Sequence, residues 1–371
     1  MRTGERDQRA IWLDEDGWGV RVIDQRALPH GFRVLRLETA ADAASAIREM
    51  AVRGAPLIGA TGAYGVALAA RAEPADRALA DAANLLKDAR PTGANLAWAV
   101  DRVIGAVSEV PPARRAAAAY SEAARICQED AAINRAIGEH GAELIAAEWE
   151  RAGRRRRVEV LTHCNTGWLA TVERGTALAA VYEAAEREIP LHVWVTETRP
   201  REQGAGLTAW ELAQAGVPFT VIVDGAAGHL LQRRGAGLVI VGTDRTSAGG
   251  DVANKIGTYP LALAARASEV PFYAAVPSPS IDWAIDDGLA IPIEERDPAE
   301  VAAVTGLAPS GRVESVRVVP QGARVANWAF DVTPADLVSG LITERGVAQA
   351  TSAGLAALFP ERNPSGASNQ A

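Results

Sequence analysis

Two cysteines, Cys127 and Cys164, are all that the 371-residue chain contains. That number excludes a disulfide framework, and free thiols suit a reducing compartment. Long apolar runs are missing as well. No stretch of about 18 apolar residues occurs, so no membrane-spanning helix is expected. The opening MRTGERDQRA lacks the apolar segment of a secretory signal, so a cytoplasmic protein is expected. Positive charge is in deficit. Lys plus Arg number 38 against 46 Asp plus Glu, a formal net charge of −8, which argues against a protein that wraps nucleic acid. No Walker A loop, H-E-x-x-H or paired C-x-x-C occurs, so a metal site has no support in the sequence.

What is present is a globular composition, 48% hydrophobic and 23% charged, with enough apolar material for a sizeable core. At roughly 150 residues per domain, the length allows two to three domains. Trp18–Ile23 and Phe32–Leu37 read as short strands on either side of the turn-like segment 28–31. Thr39 then caps a helix that continues to Met50, with Asp42 in its first turn. Arg53-Gly54-Ala55-Pro56 breaks that helix, and Pro56 suits the first turn of a very apolar one reaching Ala70. Helices over 75–87, 94–107 and 113–151 complete a mainly helical domain with a small β element, residues 1–150.

From 151 to 360 the pattern changes. Short apolar runs at 158–163, 191–196, 219–223, 237–241 and 271–276 read as strands. Helical stretches over 171–187, 208–215, 226–232 and 257–267 alternate with them. Such alternation implies a parallel, doubly wound sheet covered on both faces, with right-handed crossovers. The fold class is therefore α/β: a helical N-terminal domain plus a C-terminal Rossmann-like sheet. A further strand is read at 313–319, and Thr333-Pro334 opens a last helix to Glu344. Residues 361–371 read as a mobile polar tail. The run Arg154–Arg157 between the halves could grip phosphate, but beside an acidic chain it reads as a solvated cluster at a helix C-terminus.

Open α/β sheets bind ligands beyond the carboxyl ends of their strands. Cys164 stands at one such end. It reads either as a reactive thiol or as a small buried hydrophobe. His163 beside it is not its base, because neighbours on a strand point to opposite faces. Cys127, inside a long helix, reads as core. Asp244 follows another strand and suits general acid–base work, although Asp224 and Glu197 hold comparable positions and Arg245 could pair with it. Three segments could hold an anion: Arg53 to Pro56, Arg90 to Thr92, and Gly249 to Asp251 continuing into Asn254, Lys255 and Gly257. Gly204 to Ala209 matches G-x-G-x-x-A, with Asp224 beyond it. The charged stretch 198–203 separates it from its strand, which argues against a dinucleotide site.

Six blocks carry a resemblance: VRGAPLIGATGAYGVALAA (52–70), ARPTGANLAWAV (89–100), LTHCNTGWLATVERGTALAAVY (161–182), ETRPREQGAGLTAWELAQAGVPFTVIVDGAAGHLL (197–231), GTDRTSAGGDVANKIGTYPLAL (242–263) and NWAFDVTPADLVSGLITERG (327–346). Together they resemble the methylthioribose-1-phosphate isomerases, relatives of the regulatory subunits of translation initiation factor 2B. The resemblance implies an aldose–ketose isomerase of methionine salvage that uses no metal or nucleotide cofactor and forms a homodimer. It implies catalytic roles for Cys164 and Asp244. It implies substrate contacts from Arg53, Gly54, Ala55, Arg90, Gln203, Asn254 and Lys255. Trp168 becomes a candidate apolar wall for the sugar. Trp168, Thr196, Thr243, Thr246, Ser247 and Gly249 depart from the family pattern, which leaves the sugar's 5-substituent open: 5-deoxyribose 1-phosphate or ribose 1,5-bisphosphate are alternatives. A regulatory subunit without activity is a further one. The hydrogen could move from C2 to C1 as a proton or as a hydride.

Overall fold

The structure, a computed structural model, describes residues 9–362. Strands Ile11–Leu13, Val20–Ile23 and Val34–Leu37 (β1–β3) form an antiparallel sheet. Five helices follow: Ala40–Arg48 (α1), Ala55–Ala72 (α2), Asp76–Asp88 (α3), Ala94–Ser108 (α4) and Pro112–Arg151 (α5). The start of α1 is a capping box. The Thr39 hydroxyl accepts from the Asp42 amide at 3.1 Å, and the Asp42 carboxylate accepts from the Thr39 amide at 2.9 Å. Helix α2 is buried on nearly every side, which is why its sequence shows little amphipathic period.

The second half alternates as its sequence implies. Strands Val158–Thr162 (β4), Leu191–Thr196 (β5), Phe219–Ile222 (β6) and Leu238–Val241 (β7) enclose helices Ala177–Glu186 (α6), Ala209–Ala215 (α7) and Ala226–Gln232 (α8). Next come Arg245–Ser247 (β8), Val252–Lys255 (β9), Thr258–Ala267 (α9), Phe272–Ala275 (β10) and Ile281–Asp282 (β11). The chain ends with Ala299–Ala302 (α10), Ala303–Leu307 (β12), Val313–Arg317 (β13), Phe330–Thr333 (β14), Gly340–Thr343 (β15), Gly346–Ala348 (β16) and Ser352–Leu358 (α11).

Seven strands form the main sheet in the order β16-β15-β10-β7-β4-β5-β6. All pairs are parallel except β15 with β16. The chain winds outward from β4 to β6, returns to β7 on the other side of β4, and winds outward again. This is the doubly wound order 3-2-1-4-5-6, with its reversal between β4 and β7. Alternate residues feed opposite faces. Val160, Leu238 and Ile240 join a core shared with α2, α5 and α6, while Leu161, Val239 and Val241 join a second core with α8, α9 and α11. A smaller sheet, β11-β8-β9-β14, stands over the carboxyl end of the main one.

Three expectations fail. No helix runs from Thr333 to Glu344. Thr333 closes β14, a single turn spans Ala335–Leu337, and Gly340–Thr343 is a fully buried parallel strand. The Thr-Pro start is a real turn signal, but the β-rich residues after it serve the sheet. The segment 313–319 is a strand only to Arg317, in an exposed ribbon with β12 outside the main sheet. Glu361 is not tail, because its carboxylate holds the Arg345 guanidinium at 2.7 Å. Residues 363–371 of the expected tail lie outside the described residues. Arg154–Arg157 is exposed, with Arg154 on Glu150 and Arg157 on Glu159, as a solvated cluster should be.

Candidate active site

The strand order reverses at β4 and β7, so the segments leaving their carboxyl ends run to opposite faces of the sheet and leave a crevice between them. Cys164 lies just past β4 and Asp244 just past β7. Both line one cleft, together with Arg53, Gly54, Ala55, Arg90, Gln203, Asn254 and Lys255. Residues from both halves of the chain thus meet at the reversal point.

The helical half enters through the start of α2. Gly54 has φ +93°, and a Cβ there would lie 2.4 Å from the Ala170 carbonyl oxygen, so only glycine fits. The Ile58 amide donates to the Gly54 carbonyl at 3.0 Å, which leaves the earlier N–H groups of α2, on Ala55 and Leu57, without helical partners; Pro56 has none, and Ala55 lines the cleft. Arg53 is buried and largely spent on structure. Its Nε donates to Gln25 Oε1 at 3.1 Å, and its Nη1 and Nη2 donate to the Asn165 carbonyl at 2.8 and 3.0 Å. Arg53 therefore fastens the helical half to the loop after β4.

That loop is held by residues the sequence reading did not single out. The Cys164 amide donates to Thr198 Oγ1 at 2.9 Å, and the Cys164 carbonyl accepts from Thr208 Oγ1 at 2.7 Å. Cys164 itself sits in the left-handed region, φ +69°. Glu211, fully buried on α7, accepts from Asn165 Nδ2, the Trp168 and Leu169 amides and the Tyr182 hydroxyl, all within 2.9–3.1 Å. Gly167 must lack a side chain because Glu211 occupies that space. The available signal for Glu211 was an acid on the apolar stripe of a short helix.

Beyond β7, the Asp244 amide donates to the Ala253 carbonyl at 3.0 Å. Arg245 turns away to Asp282 at 3.6 Å, so it is not the partner of Asp244. Asp224 is a loop cap, accepting from the Thr198 and Arg199 amides at 2.7 and 2.8 Å. Strand β9 delivers Asn254 and Lys255. Lys255 Nζ donates to the Ala329 carbonyl at 2.9 Å and lies 4.7 Å over the Phe330 ring. His163 faces elsewhere, between Thr196 Oγ1 at 2.7 Å and the Ile256 carbonyl at 2.8 Å.

Burial pushes the Asp244 carboxyl up, against the pull of Lys255, Arg90 and Arg53. Burial also pushes the Cys164 thiol up, against Arg53 and Lys255. It pushes Lys255 down, and Cys164 and Asp244 oppose that. Two polar atoms of the wall, Gln203 Oε1 and Thr166 Oγ1, are buried without a partner among the described residues. The cleft therefore offers a carboxyl and a thiol for proton chemistry, cations and helix amides for an anion, and unspent polar atoms for hydroxyls.

Several expectations need correction. Trp168 is not the apolar wall. Its backbone is tied to Glu211, and its ring is buried against Trp210 at 6.0 Å between centroids. Met50, Ala170 and Phe330 supply apolar surface instead. Gly249 to Asp251 form no anion grip, because the Asp251 carboxylate caps the Gly288 and Ala335 amides at 2.7 and 2.8 Å. The G-x-G-x-x-A segment is a π-helical turn over Gly204–Thr208, its first glycine pressed on the Thr196 carbonyl. Cys127 is core, its thiol pushed up to about 12 by burial.

A doubly wound sheet with a thiol and a carboxyl at its reversal point, among cations, defines a site for acid–base chemistry on an anionic small molecule. The sequence profile of the initiation factor 2 subunit family matches residues 51–350. A methylthioribose-1-phosphate isomerase of Acidiphilium cryptum is 60% identical over 364 residues, 98% of each chain. The crystal structure of 5-methylthioribose 1-phosphate isomerase from Pyrococcus horikoshii superposes with a TM-score of 0.81 at 38% identity, covering 95% of this chain and 96% of that one. The translation initiation factor eIF-2B subunit delta from A. fulgidus gives 0.78 at 36%, covering 95% and 99%. The chain belongs to the initiation factor 2 subunit family, alongside its methylthioribose-1-phosphate isomerases.

Proposed function

We propose that the protein is the aldose–ketose isomerase of methionine salvage, converting 5-methylthioribose 1-phosphate to 5-methylthioribulose 1-phosphate. The observation that carries the reading is the meeting of Cys164 and Asp244 in one cation-lined cleft, in a chain 60% identical to a protein of that name end to end. A regulatory subunit without activity would have no use for a buried thiol and a half-buried carboxyl lining one cleft.

The phosphate on O1 blocks ordinary mutarotation, so the furanose must open with the phosphate attached. In our reading the Cys164 thiol, kept neutral by burial, protonates the ring oxygen as the C1–O4 bond breaks. Asp244 takes the proton of the C2 hydroxyl. The C2 hydrogen moves with its electron pair to C1, leaving a C2 ketone and a C1 methylene that bears the phosphate. The proton on Asp244 then returns to the Cys164 thiolate. Enclosure keeps water from the transient cation at C1, and Arg90, Asn254, Lys255 and the α2 amides hold the phosphate end. The reading takes the protein as a cytoplasmic homodimer with no metal or nucleotide cofactor; light scattering of the purified chain tests the dimer.

Incubation with 5-methylthioribose 1-phosphate followed by NMR should show the ketose. No turnover at high enzyme concentration would sink the proposal. Deuterium placed at C2 should be retained at C1, and exchange with solvent would overturn the hydride route.

A further inference from the structure

Among the described residues, one charged side chain lines the cleft besides Arg53, Arg90, Asp244 and Lys255: Arg296. It lies on the strap between Ile291 and α10. The strap is fixed to the segment before β14, since the Arg296 amide donates to the Asn327 carbonyl and the Ala329 amide to the Glu294 carbonyl, both at 2.9 Å. Glu294 bridges two guanidiniums. Its Oε1 accepts from Arg296 Nη1 at 2.8 Å, while its Oε2 accepts from Arg90 Nη2 and Nε at 3.1 and 3.3 Å and from Thr92 Oγ1 at 3.4 Å. Glu300 holds the other edge of Arg296, at 2.8 Å from Nη2 and 3.0 Å from Nε.

A guanidinium has five N–H donors. These bonds leave Arg296 one on each terminal nitrogen, and leave Arg90 one on Nη2 and both on Nη1. Two planar cations, one from each half of the chain, are thus locked at a fixed separation by one carboxylate and keep donors to spend. Without Glu294 they would repel each other across the cleft. A tetrahedral dianion is the ligand that two such forks fit.

We propose that Arg90 and Arg296 form a two-arginine clamp for the phosphate of the sugar, with Glu294 as the residue that positions it. Arg296 contacts the phosphoryl oxygens; Glu294 acts only through the two arginines. The clamp rests on the sugar-phosphate reading above and deepens it.

The test is steady-state kinetics on the full chain, with inorganic phosphate as competitive inhibitor. Losing one charge-assisted contact should raise both KM and the phosphate inhibition constant of Arg296→Ala roughly tenfold to hundredfold, with kcat moving less. Added guanidinium should restore part of the loss. Arg296→Lys, which keeps the charge and guards against a folding defect, should fall between. Glu294→Gln should raise both constants by a smaller factor at unchanged thermal midpoint. If Arg296→Ala and Arg296→Lys both stay within about twofold of wild type in KM and phosphate inhibition, the clamp is refuted. If wild type turns over no methylthioribose phosphate, yet calorimetric phosphate binding still depends on Arg296, the functional reading falls and the clamp stands.

Discussion

Cys164 and Asp244 are both pushed up by burial, yet the consequences differ because their ordinary ranges differ. A thiol raised further stays protonated at neutral pH, which suits the proton-donor role proposed for Cys164. A carboxyl raised above its ordinary range is the stronger base, which is the role proposed for Asp244. The pH dependence of kcat/KM should therefore be bell-shaped. Its acid limb, where Asp244 gains a proton, lies above the usual carboxylate range. Its alkaline limb, where Cys164 loses one, lies above the usual thiol range. Asp244→Asn should cost roughly 10²–10⁴ in rate and abolish the acid limb. Cys164→Ser should abolish the alkaline limb, since a hydroxyl does not ionise there. A Cys164→Ser profile that keeps the alkaline fall would assign that limb to another group.

At the scale of elements, the start of α2 sets the site. Gly54→Ala adds a Cβ into the Ala170 carbonyl at a φ that disfavours it, so the helix start must shift. An ångström of displacement is enough to cost on the order of 10² in kcat/KM, and the strain about 1–3 kcal/mol of stability. Gly105 is the contrast. It lies inside α4 with open space around it, so Gly105→Ala should stabilise by about 1 kcal/mol and leave kinetics alone. Paired thermal melts and assays check both. The same scale shows what the sequence could reveal. Strand-end polar residues gave Cys164 and Asp244, since each lies close behind a short apolar run. The segment 340–343 misled because a buried parallel strand has no polar alternation to set it apart from a buried helix. Glu211, Thr198 and Thr208 were illegible because they act on backbone atoms that are close only after β4, β5 and α7 have folded together. Arg296 was hidden for a related reason: its partner Glu294 is local, but Arg90 is 206 positions away.

For the whole molecule, stability against pH follows from carboxyls that folding shifts in opposite directions. Asp130, on α5, accepts from the Val172 amide at 2.8 Å and so ties the helical half to the segment after β4. Burial pushes it from the ordinary 3.8 up to about 7, with the Val172 amide opposing. Asp331, which caps the start of α9, is pushed up to about 6, also by burial. Between pH 4 and these values the folded chain holds protons that the unfolded chain has released. Their contribution is full below about 4 and is lost as pH rises through 6 and 7. Glu300 works the other way. Arg296 and Arg201 hold it down at about 2 despite burial, so its contribution is present above 4.5 and lost as pH falls toward 2. These carboxyls pull the thermal midpoint down from pH 5 to pH 8, against His163 and His192, which burial pushes down and whose contribution grows as pH rises toward 6.5. Asn in place of Asp130 keeps an acceptor for the Val172 amide and has no charge to bury. Asp130→Asn should flatten that decline and exceed wild type at pH 8 by on the order of 1 kcal/mol. Calorimetric melts of the two proteins across pH 5–8 decide it; parallel curves would mean that Asp130 does not titrate with folding.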